Sequence, residues 1–149
     1  MIVSGAQVFV PEIADYEVRR ELLRVGKTQG IARLDLIKNT IGYLPITTSI
    51  MLRAAKLWAE ARRSGMPTAD PKELDCDVIL AAQALGINGM VATENVGHLS
   101  RFVAARRWRD IKSYRVCQTV SNNRFDRSRA SKYCIVASVL YARPGHPRP

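Results

Sequence analysis

The stretch Asp77-Val78-Ile79-Leu80-Ala81-Ala82-Gln83-Ala84-Leu85 carries the fold prediction. Its alanines and aliphatic side chains predict a buried helix over residues 74–85, closed by Gly86. Directly after it, residues 89–93 predict a short buried strand. A helix that leads at once into an apolar strand is typical of an α/β domain with a mainly parallel sheet.

The same alternation extends outward in both directions. Residues 11–25 predict a helix, because proline comes first, acids lie early and bases lie late along it. Other predicted helices lie at 31–40, between Thr48 and Gly65, and at 96–102, and other predicted strands lie at 8–10, 44–47 and 107–111. In a parallel sheet, functional sites form at the carboxyl ends of the strands. Polar residues just after a strand or early in a helix are therefore the first candidates for function.

Composition indicates one globular domain with an anionic partner. The chain has 149 residues, 47% hydrophobic and 24% charged, which excludes a wholly disordered or fibrous protein. The formal net charge is +10, which favours nucleic acid as a partner. Residues 112–149 contain eight basic residues and one acid, so this C-terminal segment alone has a net charge of +7. We expect it to be a poorly ordered appendage, although its apolar patch at residues 133–141 can add a strand.

The compartment expected from the sequence is the cytosol. No apolar run is long enough to span a membrane, and the first residues lack the basic start of a secretory signal. The three cysteines are odd in number and widely spaced, which argues against a disulfide framework or a zinc cluster.

Several acids and amides fall at the predicted element ends. Glu17 lies in the first helix, Asp75 and Asp77 begin the alanine-rich helix, and Asn95 and His98 follow the 89–93 strand. Converging carboxylates repel one another unless a cation lies between them, and such hard oxygen ligands favour Mg²⁺ or Mn²⁺. Each residue also has a simpler interpretation, as a helix-stabilising acid, a turn residue or a surface histidine. Spacing alone favours the simpler interpretation.

A resemblance changes this balance. Residues 77–85 resemble the Asp-x-x-Ile-Ala-Ala-x-Ala-Leu segment of PIN domains, and residues 91–99 are similar to the family's Val-x-Thr-x-Asn-x-x-(Asp/His)-Phe segment. Residues 8–18 look like the strand and helix that carry the family's second acid. The three segments occur in the family's order. The likeness covers residues 5–111 and points to the VapC-like toxins or related cytosolic nucleases.

The resemblance implies a three-layer αβα fold and Mg²⁺-dependent (or Mn²⁺-dependent) cleavage of RNA. Glu17 and Asp77 match the family's metal-binding acids, which makes them the catalytic candidates, with Asp75 and Asn95 as further metal ligands. His98 and Arg101 are the candidate substrate contacts. The implied partners are RNA, an antitoxin protein and a second copy of the chain, with no membrane.

One departure from the family limits the prediction. PIN domains open with a central strand that ends in an aspartate, and nothing near Met1 matches it. We therefore expect residues 1–111 to form an N-terminally truncated PIN-like domain with an exposed gap in its sheet. Catalytic competence stays open for the same reason. The alternatives to a ribonuclease are an impaired PIN-like module that binds nucleic acid or a partner, and a structural protein with an incidental basic tail.

Overall fold

The computed structural model describes residues 6–65, 71–111 and 133–137. Its core is a five-stranded sheet in which every neighbouring pair is parallel. The strands are β1 (Ala6–Pro11), β2 (Gly42–Leu44), β3 (Met90–Ala92), β4 (Ala105–Arg106) and β5 (Tyr133–Ala137). Their spatial order is β2-β1-β5-β3-β4. The predicted mixed α/β architecture with a parallel sheet is confirmed.

Among the described residues five helices lie between the strands, and their bounds fall within three residues of the predicted ones. They are α1 (Glu12–Arg24), α2 (Thr28–Thr40), α3 (Thr48–Arg63), α4 (Pro71–Gly86) and α5 (Val96–Leu99). Thr47 caps α3 by accepting a hydrogen bond from the Ile50 amide at 3.3 Å. Gly26, just beyond α1, adopts a φ of +66°, a left-handed conformation that glycine reaches without steric cost.

The prediction of a strand at residues 107–111 is wrong. The chain instead forms the two-residue strand β4 earlier and then a 3-10 turn over Trp108–Asp110. Asp110 and Arg109 are exposed, so this segment lacks the buried face that a strand needs in order to pack.

The centre of the sheet differs from the sequence prediction. Strand β5 lies between β1 and β3, with Val136 in register with Phe9 on one side and with Val91 on the other. The expected gap is therefore filled by residues 133–137, part of the apolar patch that the expectation of a poorly ordered C-terminal appendage left able to add a strand. Its sequence, Tyr-Cys-Ile-Val-Ala, has the apolar character that is typical of a central strand in a parallel sheet. Residues 112–132 and 138–149, on which the rest of that expectation falls, lie outside the described residues.

The main core lies between the sheet and helices α1, α4 and α5. Val91 of β3 packs there with Ile13, Leu80, Ala84 and Leu99, all nearly inaccessible to solvent. A second cluster joins α3 to α4 through alanines, whose small side chains allow the two helices to approach closely. In the part of the chain that the structure describes, no helix combines the length and apolar character needed to cross a bilayer.

Candidate functional site

The candidate site lies where the N-terminal turns of three helices meet the carboxyl edge of the sheet. Helix α1 begins directly after β1, and α5 begins four residues after β3. Helix α4 leads back to the amino end of β3, so its first turns lie at the same edge. Helix α4 packs against both α1 and α5. Polar residues in the first two turns of these helices are thereby brought together.

Glu17, on the second turn of α1, meets Cys76 of α4. The pKa of the Cys76 thiol is raised to about 12, first by burial and then by the Glu17 carboxylate, through its charge and by accepting a hydrogen bond from the thiol. Arg20 lies on the same side, with its Nη2 atom 4.0 Å from Oε1 of Glu17. Glu17 is thus a half-buried carboxylate held between a neutral thiol and a guanidinium.

Asp77 lies one residue beyond Cys76 and also helps to raise the pKa of the thiol through its negative charge. Its Oδ2 atom is 3.7 Å from Nδ1 of His98, so the two side chains form an ion pair whenever the imidazole is protonated. Only 15% of the Asp77 side chain is exposed. The structure therefore places Glu17 and Asp77 beside a common thiol and His98 beside Asp77, so three of the six predicted site residues lie together.

The other predicted site residues lie at or near this edge without such contacts. Asp75 is exposed on the first half of α4, and Arg101 is exposed just beyond α5. Asn95 is the residue that precedes α5, and its backbone amide donates to Oγ1 of the fully buried Thr93 at 3.0 Å. The roles of these residues as a metal ligand or a substrate contact stay predictions.

Sequence reasoning missed the residues that fix α1, α4 and β2 against one another. The buried Gln83 side chain accepts from the Ile13 amide at 3.4 Å and donates to the Leu44 carbonyl at 2.6 Å. Glu12 accepts from the Ile46 amide at 2.6 Å. The detectable signal was a lone glutamine within an alanine-rich helix, because a buried amide must find hydrogen-bond partners.

Asp15, only two residues before Glu17, has a different environment. It is buried at 7% exposure, and its carboxylate lies 2.9 Å from Nη2 of Arg19 and 3.5 Å from Nζ of Lys38. Arg19 also contacts Asp35 of α2 at 2.6 Å. These pairs join α1 to α2 and use Asp15 structurally, which leaves Glu17 as the carboxylate that α1 directs to the candidate site.

The described residues contain no group of three or more His, Cys, Asp or Glu side chains arranged to hold a metal ion. They do contain the carboxylate pair Glu17 and Asp77. Mg²⁺ is commonly bound through one or two carboxylates together with substrate phosphates and water, without a complete protein cage. Glu17 and Asp77 are carboxylates of the kind that such an ion needs, and magnesium binding at this site stays a prediction.

Comparison with known proteins identifies the fold. The chain is similar to a chain in the structure of VapBC-1 from nontypeable Haemophilus influenzae, with a TM-score of 0.58 and 19% identity. The match covers 73% of this chain and 80% of the other. No protein-family model and no curated protein sequence matches. The likeness confirms the predicted PIN-like αβα fold.

Proposed function

We propose that the chain is a PIN-type ribonuclease that requires Mg²⁺ (or Mn²⁺) and cleaves RNA phosphodiester bonds by hydrolysis. The observation that carries the proposal is the meeting of Glu17 and Asp77 beside Cys76 at the carboxyl edge of a PIN-like sheet. Both residues are the ones that match the metal-binding acids of the family. The likeness to a chain of VapBC-1 supports the same class of protein.

Glu17 and Asp77 would hold the ion, with Asp75 and Asn95 as reserve oxygen donors. A divalent ion held there would polarise a phosphoryl oxygen and lower the pKa of a water molecule. Loss of a proton from that water would give the hydroxide that attacks phosphorus, while the P–O bond to the leaving ribose oxygen breaks. Arg20 keeps Glu17 in place and offsets its charge before RNA binds. His98 lies against Asp77, where it can contact the substrate, and the exposed Arg101 is available to a phosphate.

The test is cleavage of a fluorescent single-stranded RNA by the full chain, with and without Mg²⁺. Glu17→Gln and Asp77→Asn each remove one anionic ligand with almost no change in volume, so the rate should fall by about a hundredfold. Glu21→Gln is the matched control, because Glu21 lies one turn further along α1 and pairs with the exposed Arg24. Equal rates for the parent and both site variants would show that the site assignment is wrong.

The same proposal includes a protein partner. The resemblance to VapC-like toxins implies an antitoxin protein as that partner, and the chain's similarity to part of VapBC-1 supports it. We also propose that the chain pairs with a second copy of itself. Expression of the parent should slow cell growth, and expression of Asp77→Asn should not. If both slow growth equally, the toxin assignment is wrong.

A second candidate function is favoured by the composition of the central strand and the residues after it. From Tyr133 to Pro149 the sequence contains no Asp or Glu, so β5 brings no carboxylate to the centre of the edge. The chain would then be an impaired PIN-like module that binds RNA or a partner without cleaving. RNA binding with no Mg²⁺-dependent cleavage above that of the Glu17→Gln variant would select this candidate.

A further inference from the structure

The segment that follows β4 presents an exposed tryptophan among arginines. Trp108 is 43% exposed, and the side chains of its neighbours Arg107 and Arg109 are 57% and 75% exposed. Both arginines pair with Glu94, Arg107 Nε at 3.9 Å and Arg109 Nη2 at 3.6 Å. One carboxylate therefore pairs with the guanidinium groups of the residues that precede and follow Trp108 in the chain.

This cluster, which we call the Trp108 strip (Glu94, Arg106, Arg107, Trp108 and Arg109), adjoins the candidate site. Arg106 is in register with Ala92 at the carboxyl end of β3, and its carbonyl accepts from the Thr93 amide at 2.9 Å. Glu94 follows immediately, two residues before α5 begins. Helix α5 carries His98, which contacts Asp77. The strip and the site thus lie along one edge of the sheet.

The two tryptophans of the chain have opposite environments. Trp58 on α3 is half-buried, packs against the α3–α4 alanine cluster and lies 5.4 Å from the guanidinium carbon of Arg62. Trp108 belongs to no hydrophobic cluster of the described residues. Packing therefore accounts for Trp58. The 43% of Trp108 that is exposed to water is instead an apolar surface that can contact a ligand.

We propose that the Trp108 strip is a binding site for single-stranded RNA, in which one base stacks on Trp108 and the flanking phosphates bind Arg107 and Arg109. The inference rests on RNA as the ligand of the proposed function. Stacking on an aromatic side chain stabilises bound single strands and tolerates any sequence, because every base has a π-face. Glu94 orients the arginines in the free protein and competes with the phosphates for them.

Tryptophan fluorescence tests the strip directly, because the chain contains only two tryptophans. The full-length Asp77→Asn protein is titrated with a short oligoadenylate in buffer free of divalent ions, so that no RNA is cut. We expect stacking to quench the emission, the quenching to persist in Trp58→Phe and to disappear in Trp108→Phe. Heparin, an anion without bases, should bind without quenching.

Charge variants supply the second arm of the experiment. Arg107→Gln and Arg109→Gln should each lower the salt dependence of RNA binding, by a slope of about 0.7 for each phosphate that the protein no longer neutralises. Glu94→Gln should tighten binding severalfold, because it removes the competing carboxylate. Arg53→Gln, on the exposed surface of α3, is the matched control and should change neither quantity.

The outcomes separate this inference from the proposed function. Quenching that is unchanged in Trp108→Phe, or equal quenching by heparin, overturns the strip, whatever the cleavage assay shows. Quenching through Trp108 in a parent chain that cleaves no RNA supports the strip and counts against the nuclease. Affinity that falls in Glu94→Gln contradicts the competition between Glu94 and phosphate.

Discussion

The carboxyl edge of the sheet is built in one way at its flank, where α1 and α4 pack, and in another way at its centre, where β5 lies. At the flank, α1 and α4 bring two carboxylates from distant parts of the chain, Glu17 and Asp77, around one thiol. At the centre, β5 completes the sheet from residues 133–137, and the sequence beyond its start contains no acid. Completing the sheet and supplying carboxylates to the candidate site are therefore separate requirements. Strand β5 meets only the first.

The largest expected effect comes from removing β5. A chain that ends at Lys132 leaves β1 and β3 without the strand that pairs with both, so their backbone groups and apolar faces lose their cover. Because a domain of this size is stable by only about 5–15 kcal/mol, we expect the cooperative unfolding transition to disappear. A chain that ends at Arg143, which keeps β5, is the control. Equal melting temperatures for the two chains would show that β5 does not belong to the core.

A smaller effect, a gain in Mg²⁺ binding and cleavage, should follow when an aspartate is introduced into β5, which contains no acid. Val136 is in register with Val91, whose side chain packs towards α1 and α4, the face that carries Glu17 and Asp77. Val136→Asp should tighten Mg²⁺ binding in the presence of RNA by about tenfold, or about 1.4 kcal/mol, and raise the cleavage rate. Ala137→Asp is the control, because Ala137 is in register with Ala92 in the cluster on the opposite face.

The measurement for Val136→Asp is the Mg²⁺ concentration that gives half-maximal cleavage, together with the melting temperature. Converging carboxylates repel one another unless a cation lies between them, so we expect added Mg²⁺ to raise the melting temperature of Val136→Asp more than that of the parent. If Ala137→Asp gains as much as Val136→Asp, the register of β5 or the location of the site is wrong.

The smallest effect concerns the thiol at the flank. Because the pKa of Cys76 is about 12, the thiol stays protonated and should react slowly with iodoacetamide at pH 8–9. Glu17→Gln removes the second-largest cause of the shift and should lower the pKa, so alkylation should speed up by about tenfold for each pKa unit. The rate is measured in a protein with Cys117→Ser and Cys134→Ser, and Glu21→Gln is the control.

The pH dependence of stability has a definite sign at this thiol. The folded-state pKa lies above the ordinary value of 9.0, so the unfolded chain ionises first as the pH rises. The contribution of Cys76 to the free energy of unfolding is therefore complete below pH 9 and is lost between pH 9 and about 12.

An alkylation rate unaffected by Glu17→Gln would mean that Glu17 and Cys76 are not in contact.

The sequence by itself determined the local structure and the chemical types at the candidate site. Capping residues, glycine punctuation and the apolar period located α1, α3 and α4 within a few residues, because these signals act within a few turns of helix. The prediction of Glu17 and Asp77 depended on motif resemblance. The strand predicted at 107–111 failed, since a short run of mixed arginine and apolar residues has no period that separates strand from turn.

Only the tertiary structure decided which acids share an environment and which strand fills the centre of the sheet. Asp15 and Glu17 are alike as helix acids in the sequence, yet packing against α2 buries the former in ion pairs, and packing against α4 brings the latter to Cys76. Residues 133–137 became the central strand because β1 and β3 each leave one edge unpaired beside it. That vacancy is a property of strands distant in sequence, and no local pattern encodes it.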